Sequence, residues 1–361
     1  PRERICFDGE PISAERLLRT WDEIRPYVEI VDARSRADDG PPLSYFEVLT
    51  ALALAAFADA PVDVAVIEVG LGGTWDSTNV VTAIVSGITP IGLDHQDYLG
   101  GTVLDIAREK AGIIKQGTHV VIAQQELPVA EVLLERCVEM DAVVAREGLE
   151  FGVMSRSLAV GGQVVSLKGL NTSYDDVFLP LFGEHQASNA AMALAATESF
   201  LGGVSSLDPD VVHEGFANAT SPGRLEALRR NPTVLVDAAH NPHGARALAK
   251  AMEDSFEFSA LVGVVGMLTD KDAHGFLAAL ELTLHQVVIT RPSSARAMDP
   301  DILAAIAVDV FGEDRVFVEP ELPDAIDRAV SLAETSDAYG GVGVLITGSV
   351  VLVGDAKKLL S

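Results

Sequence analysis

Residues 68–79 read EVGLGGTWDSTN, and they follow directly on the run Val64-Ala65-Val66-Ile67. A short apolar run of β-formers closed by glycines predicts a buried parallel strand over 64–68. Such a strand would set the Glu68 carboxylate at its carboxyl end, with Gly70, Gly72 and Gly73 in the turn that follows. In open α/β sheets, loops and helix starts converge on this edge and ligands bind there. Glycines let a backbone come close to a phosphate or a metal, and a carboxylate is a hard oxygen ligand suited to Mg²⁺. Taken alone, the same pattern also describes a tight turn with no ligand at all.

Working outward, Gly87–Leu93 predicts the next strand, ending in Asp94-His95. Thr102 then opens a helix, with Asp105 three residues on in a capping-box pattern. In the helix TVLDIAREKAGIIK, Leu104, Ala107, Ala111 and Ile114 share one face and Lys110 lies at its edge. Two neighbouring strand ends therefore offer an acid and an imidazole, followed by a helix that carries a partly sheltered lysine.

The same reading predicts helices over 13–29 and 44–58. It predicts a strand over 119–123, a helix from Pro128, a β-rich stretch over 151–182 turning at Gly161-Gly162, and a helix over 185–200. The turn-forming cluster Thr220-Ser221-Pro222-Gly223 marks a domain border. Beyond it, strands at 233–237, 260–266, 285–290, 314–318 and 343–347 alternate with helices. The fold class is thus α/β, with a parallel-sheet domain over 1–220 and a smaller Rossmann-like domain over 221–361. In the second domain a buried strand ends at Asp237, and Asn241-Pro242 reads as N-cap and first helical residue. Asp237 and His240 then sit at a strand-to-helix turn. An acid there also has a purely structural use, because it stabilises the helix macrodipole.

Composition bounds the function. The chain has 361 residues, 48% hydrophobic and 22% charged, enough for two packed domains. A net charge of -27 disfavours nucleic acid as a partner, since neutralising phosphates needs a basic patch. No apolar stretch reaches the roughly 20 residues of a membrane helix. Cys6 and Cys137 make no disulfide framework and sit in no nucleophile pattern, which fits a cytoplasmic protein.

The ordered set EVGLGG, TN, DH…LG, REKAGIIK, GEHQASNAAMA, SPGRLE, VDAAHNPHGA, DKD and ITGS resembles folylpolyglutamate synthase and dihydrofolate synthase of the Mur ligase superfamily. That resemblance implies a P-loop-NTPase-like central domain followed by the Rossmann-like one. It implies an ATP-dependent carboxylate–amine ligase of folate biosynthesis and one-carbon metabolism. L-glutamate would be added to dihydropteroate, to the γ-carboxylate of folate polyglutamates, or to both, through an acyl phosphate. Glu68 and His95 would be Mg²⁺ ligands. Lys110 would be carbamylated by CO₂ and orient a second Mg²⁺. Asn189, Arg224 and Asp237 would hold ATP between the domains, with His240 beside a phosphate or the ribose, and Arg224 and His240 would act in catalysis. Asp76 would contact the pterin or folate. Lys271 and Asp272 match a recurrent charged segment.

Each assignment has a plain structural rival: an Asp-His turn, a surface pair of Lys110 with Glu109, an interdomain ion pair at Arg224, a solvent-facing Asn189, a charged turn at 270–272. Thr74 stands where the family often has Arg or Lys. The family's GTNGKT-type phosphate loop has no counterpart, because none of the seven lysines follows a glycine. The expectation is therefore a segment lost before Pro1 and a chain inactive as it stands. The alternatives are a catalytically dead paralogue that binds folate or nucleotide, and a Mur-type ligase acting on a UDP-muramoyl substrate. The protein is expected to be a cytoplasmic monomer with small-molecule partners only.

Overall fold

The computed structural model describes residues 2–60, 62–93, 96–203, 206–335 and 341–360. The chain divides into two units. The first comprises residues 1–86, 95–118 and 126–142, and the second comprises 87–94, 119–125 and 143–361.

The first unit opens with a small antiparallel pair, β1 (Cys6–Phe7) and β2 (Glu10–Pro11). Helix α1 (Ala14–Ala37) starts where Ser13 accepts the Arg16 amide. Helix α2 (Tyr45–Asp59) starts with a full capping box: Ser44 Oγ accepts from the Glu47 amide, and the Glu47 carboxylate accepts from the Ser44 amide. Two otherwise orphaned donors are satisfied there. Ile5, Ile12, Leu49, Leu52 and Ala56 form the local core, closed by Phe7, Trp21 and Phe57.

Strand β3 (Val85–Ile88) and helices α3 (Gln96–Leu99) and α4 (Val103–Ala111) follow. The capping box expected at Thr102 and Asp105 is present. The hydrogen bond from Thr102, ahead of the nearby Arg108 charge, holds the Asp105 carboxyl below its usual range. Of the expected stripe, Ala107, Ala111 and Ile114 are buried and Leu104 is partly buried, while Ile106, outside that stripe, is buried as well. Next in the chain come β4 (His119–Ile122) and β5 (Val143–Arg146), which belong to the second unit, and between them α5 (Leu127–Glu139) of the first; the sheet order is β3-β4-β5, with β4 and β5 parallel.

Two strand expectations are corrected here. Residues 64–68 form no strand. Val64 is 53% exposed and Val66 92% exposed, and no described strand lies alongside to complete a ladder. β-propensity expresses itself only where a neighbour accepts the backbone hydrogen bonds. The strand expected over 87–93 is shifted to 85–88. Pro90 cannot donate to a ladder, and the Ile91 amide goes instead to the Gln125 side chain at 3.0 Å. His95 and Asp94 lie outside the described residues.

In the second unit, β6 (Gly152–Ala159), β7 (Gly162–Lys168) and β8 (Ser173–Leu179) form an antiparallel sheet, with the expected hairpin turn at Gly161. Helices α6 (Glu184–Phe200) and α7 (Pro209–Ala217) come next. A six-stranded sheet completes the unit. Its strands are β9 (Glu226–Arg230), β10 (Thr233–Val236), β11 (Phe258–Val265), β12 (Gln286–Ile289), β13 (Val316–Val318) and β14 (Gly341–Thr347), in the order β13-β12-β11-β14-β10-β9. All pairs are parallel except β9 with β10.

Alternate residues of these strands face opposite cores. Leu235, Leu261, Val265, Ile289 and Leu345 pack with α8 (Pro242–Ser255), α9 (Ala273–Leu280) and α10 (Pro300–Phe311). Val236, Val262, Val264, Val344 and Ile346 pack with α11 (Leu322–Glu334) and α12 (Val350–Leu360). Each such side chain, fully buried, contributes about 1.5–3 kcal/mol before chain entropy is counted. Because β10 feeds a helix on one face and β14 feeds one on the other, their carboxyl ends flank a topological switch point, where this architecture opens a crevice. Among the described residues no helix is long and apolar enough to cross a membrane.

Candidate active site

The glycine loop that follows Glu68 is seated on the end of α4. A Cβ on Gly73 would lie 2.5 Å from the Glu109 carbonyl oxygen and 3.0 Å from Lys110 Cα. A Cβ on Gly112 would lie 2.0 Å from Thr74 Oγ1. At Gly73 and Gly112 the missing Cβ thus makes room for neighbouring protein atoms. The Thr74 amide and hydroxyl both donate to the Glu109 carbonyl, at 3.0 and 3.2 Å. Asn79 Nδ2 donates to the carbonyls of Thr74 and Gly112, at 3.1 and 3.2 Å. Two motifs 35 residues apart, GLGGT and REKAG, thus form one interlocked piece.

Beside it lies an open cleft of about 830 Å³. Phe46, Trp75 and Tyr98 line it with aromatic surface, and Ser44, Asp76 and Glu109 supply polar groups. Asp76, expected to touch substrate, lines this cleft and its carboxylate also holds its own loop. Oδ1 accepts the Thr78 amide and hydroxyl at 2.9 and 2.6 Å, and Oδ2 accepts the Leu71 amide at 2.8 Å. Ser44, Phe46 and Tyr98 were not singled out from sequence, and Glu109 was considered only as a surface partner of Lys110; none of them gave a signal of shared location.

Lys110 is half-buried on α4, and no described residue makes a hydrogen bond or ion pair with its amine. The surface pair with Glu109 is absent, and Arg108 pairs instead with Asp105 at 3.1 Å. Glu68 is exposed and has no described partner. No group of three His, Cys, Asp or Glu able to hold a metal occurs among the described residues. One free carboxylate still fits Mg²⁺, which commonly binds through one or two carboxylates together with waters and substrate phosphates.

In the second unit, the ends of β10, β11 and β14 meet. The Gly348 amide donates to the Ala239 carbonyl at 3.0 Å, and a Cβ on Gly348 would lie 2.9 Å from the Gly266 carbonyl oxygen. Asp237 is buried at the turn and clamps it. Oδ1 accepts the Ala239 amide at 2.8 Å and Oδ2 the Leu225 amide at 2.9 Å. Burial pushes its carboxyl above the usual range, against the opposing pull of these amides and of Arg224. Asp237 thereby fixes the SPGR turn that carries Arg224. The Arg224 side chain is exposed, and no described residue makes an ion pair with it. His240 places Nδ1 at 3.0 Å from the Ala238 carbonyl. A neutral ring therefore carries its proton on Nδ1 and accepts through Nε2. Asn241 caps α8 through the Gly244 amide at 2.8 Å. Asn189 is exposed on α6, with Nδ2 on Gln186 at 3.2 Å. Asp272 caps α9, and Lys271 lies 3.9 Å from Asp270.

A parallel sheet of this order, with an acid clamping the turn at its switch point, places the second unit in the Rossmann-like class. Residues 43–197 match the Mur ligase middle domain and residues 223–350 the Mur ligase glutamate ligase domain. The chain is 52% identical to the dihydrofolate synthase/folylpolyglutamate synthase of Mycobacterium tuberculosis, across 99% of this chain and 78% of that protein. It is 32% identical to the Bacillus subtilis protein of the same name, across 99% of this chain and 81% of that one. The crystal structure of the M. tuberculosis folylpolyglutamate synthase complexed with ADP and AMPPCP superposes with a TM-score of 0.96, at 53% identity, covering 100% of this chain and 82% of that one. An E. coli FolC in complex with DHPP and ADP superposes with a TM-score of 0.83 at 28% identity, covering 99% of this chain and 78% of that one. The chain belongs to the dihydrofolate synthase/folylpolyglutamate synthase family. These relationships lend no support to an inactive chain, and they favour neither the cell-wall ligase nor the binding paralogue.

Proposed function

We infer that this protein is an ATP-dependent ligase that joins L-glutamate to dihydropteroate, to folates, or to both, in the cytoplasm. The observation that carries this reading is the 52% identity, sustained over 99% of the chain, to an enzyme named for that activity. The γ-phosphate of ATP activates the acceptor carboxylate as an acyl phosphate. The glutamate amine attacks the acyl carbon, and the tetrahedral intermediate expels phosphate. A domain border near residue 220 leaves the acceptor to the first domain, while Asn189 before it and Arg224 and His240 after it would hold the nucleotide.

The residues divide the work by their chemistry. Arg224, displayed on a turn that Asp237 holds rigid, offers a fixed guanidinium fork to a phosphate. His240 and Asn189 complete the nucleotide side. Glu68, with His95, would hold Mg²⁺, which neutralises charge developing on the phosphoryl oxygens. Lys110, half-buried and bonded to no described residue, is the amine that would take up CO₂ as a carbamate. The cleft takes the flat pterin: Phe46, Trp75 and Tyr98 supply stacking surface and Asp76 shapes the rim. The overall charge of -27 repels every one of these anionic substrates, so local cations must offset it.

The test is ADP release by the full-length protein with ATP and Mg²⁺. Release is expected only when a pteroate-type acid and L-glutamate are both present, with product one glutamyl unit heavier by mass spectrometry. ADP release that ignores either substrate, or product formed on a UDP-linked acid instead, would overturn the reading.

A further inference from the structure

Glu109 stands next to the lysine of its motif, yet its side chain serves neither Lys110 nor Arg108. Adjacent residues on a helix do not face each other. Its carboxylate reaches across to the glycine loop, where Oε1 accepts the Trp75 amide at 3.2 Å. Its Cγ and Oε1 lie 3.0 and 3.1 Å from where a Cβ on Gly72 would stand, so the loop fits around it. Its carbonyl accepts the Thr74 amide and hydroxyl at 3.0 and 3.2 Å. Three donors from two successive loop residues therefore end on one residue of α4. Trp75, which these bonds hold, is 89% exposed and gains nothing from burial to fix its place. It nevertheless lines the cleft together with Asp76 and Glu109.

We propose that Glu109 is a positioning residue for the pterin-bearing substrate, holding the Trp75–Asp76 wall of the cleft in register with Lys110. This rests on the reading of that cleft as the pterin site. What the role demands is an acceptor at Oε1, not a negative charge. A neutral isostere should do the same work and a truncated side chain should not.

The experiment compares Glu109→Ala and Glu109→Gln in the full-length enzyme, with Trp75→Ala measured in parallel. Glu109→Ala is expected to raise KM for the pterin substrate about 10-fold while leaving kcat and KM for ATP within about threefold. Glu109→Gln is expected to restore KM to within about threefold of wild type. The fluorescence anisotropy of Trp75, read as the difference from the matching Trp75→Ala protein, should fall in the alanine variant and not in the glutamine variant. If Glu109→Ala does not fold, Glu109→Ser removes the same acceptor. The proposal is overturned if Glu109→Gln is as impaired as Glu109→Ala, if the loss falls on kcat and ATP alike, or if Glu109→Ala is silent while Trp75→Ala raises the pterin KM. If Trp75→Ala is also silent, the pterin reading of the cleft fails and this inference falls with it.

Discussion

Replacing Gly73 by alanine tests whether the loop and α4 are one mechanical piece. The new Cβ would stand 2.5 Å from the Glu109 carbonyl oxygen, against an ordinary contact of 3.4 Å or more, and that obstacle is backbone that cannot rotate away. The loop must then back off by about 0.9 Å. Displaced that far along the line of contact, the Thr74 amide, now 3.0 Å from the same oxygen, passes beyond hydrogen-bond range, and its hydroxyl follows. Two hydrogen bonds at about 1 kcal/mol each, with modest overpacking strain, give a loss of about 2–3 kcal/mol. Urea unfolding followed by circular dichroism should show the midpoint fall by about 1 M. KM for the pterin substrate should rise, because Trp75 and Asp76 move with the loop. Gly101→Ala is the control, since a Cβ there meets nothing within 4 Å. A Gly73→Ala midpoint equal to that of the control would refute the reasoning.

Three further outcomes follow from the site. Lys110→Ala should abolish most ligation with the unfolding curve unchanged, because the amine bonds to no described residue; near-normal turnover would remove the carbamate role. Arg224→Lys should raise KM for ATP about 10-fold, since an ammonium cannot reproduce a two-pronged contact to phosphate, and an unchanged KM would place the nucleotide elsewhere. Asp237→Asn should cost about 2 kcal/mol, because both carboxylate oxygens accept backbone amides and an Asn NH₂ would confront one of them. Asp237 also sets a pH signature. Its folded value lies above the ordinary 3.8, so the unfolded chain ionises first and the folded state holds the proton longer. Its contribution is greatest below the unfolded value and is lost as pH rises through the folded one. Stability curves of wild type and Asp237→Asn should therefore differ in slope across the acidic range, and parallel curves would contradict the assignment.

Much of the fold was legible because its signals are local. Thr102 with Asp105, and Asn241 with Pro242, mark helix starts by side chains that bond within the same turn. The inner strands β10, β11, β12 and β14 announce themselves as short apolar runs, buried on both faces. β9 escaped notice because Glu226–Arg230 is an edge strand, largely charged and with no alternation to read. Residues 64–68 misled because composition reports what a segment could pair with, not whether a partner is there. At the site, the acids were legible but their duties were not. Asp76 and Asp237 look like ligand contacts in sequence, yet each closes a turn through hydrogen bonds that only the folded chain reveals. Glu109 gave no signal because its partners lie 34 and 35 residues away.

The extended segment beyond α2 has a consequence for handling the protein. From Asp63 to Glu68 no described backbone hydrogen bond protects the amides, and Val64 and Val66 face solvent. Deuterium should enter these amides far sooner than those of β10 or β14. Among the described residues the same stretch leaves its backbone groups open to pairing with an incoming strand. A lysine at position 66 would place a gatekeeper charge on an outward side chain at little cost to folding, and light scattering would register the gain in solubility.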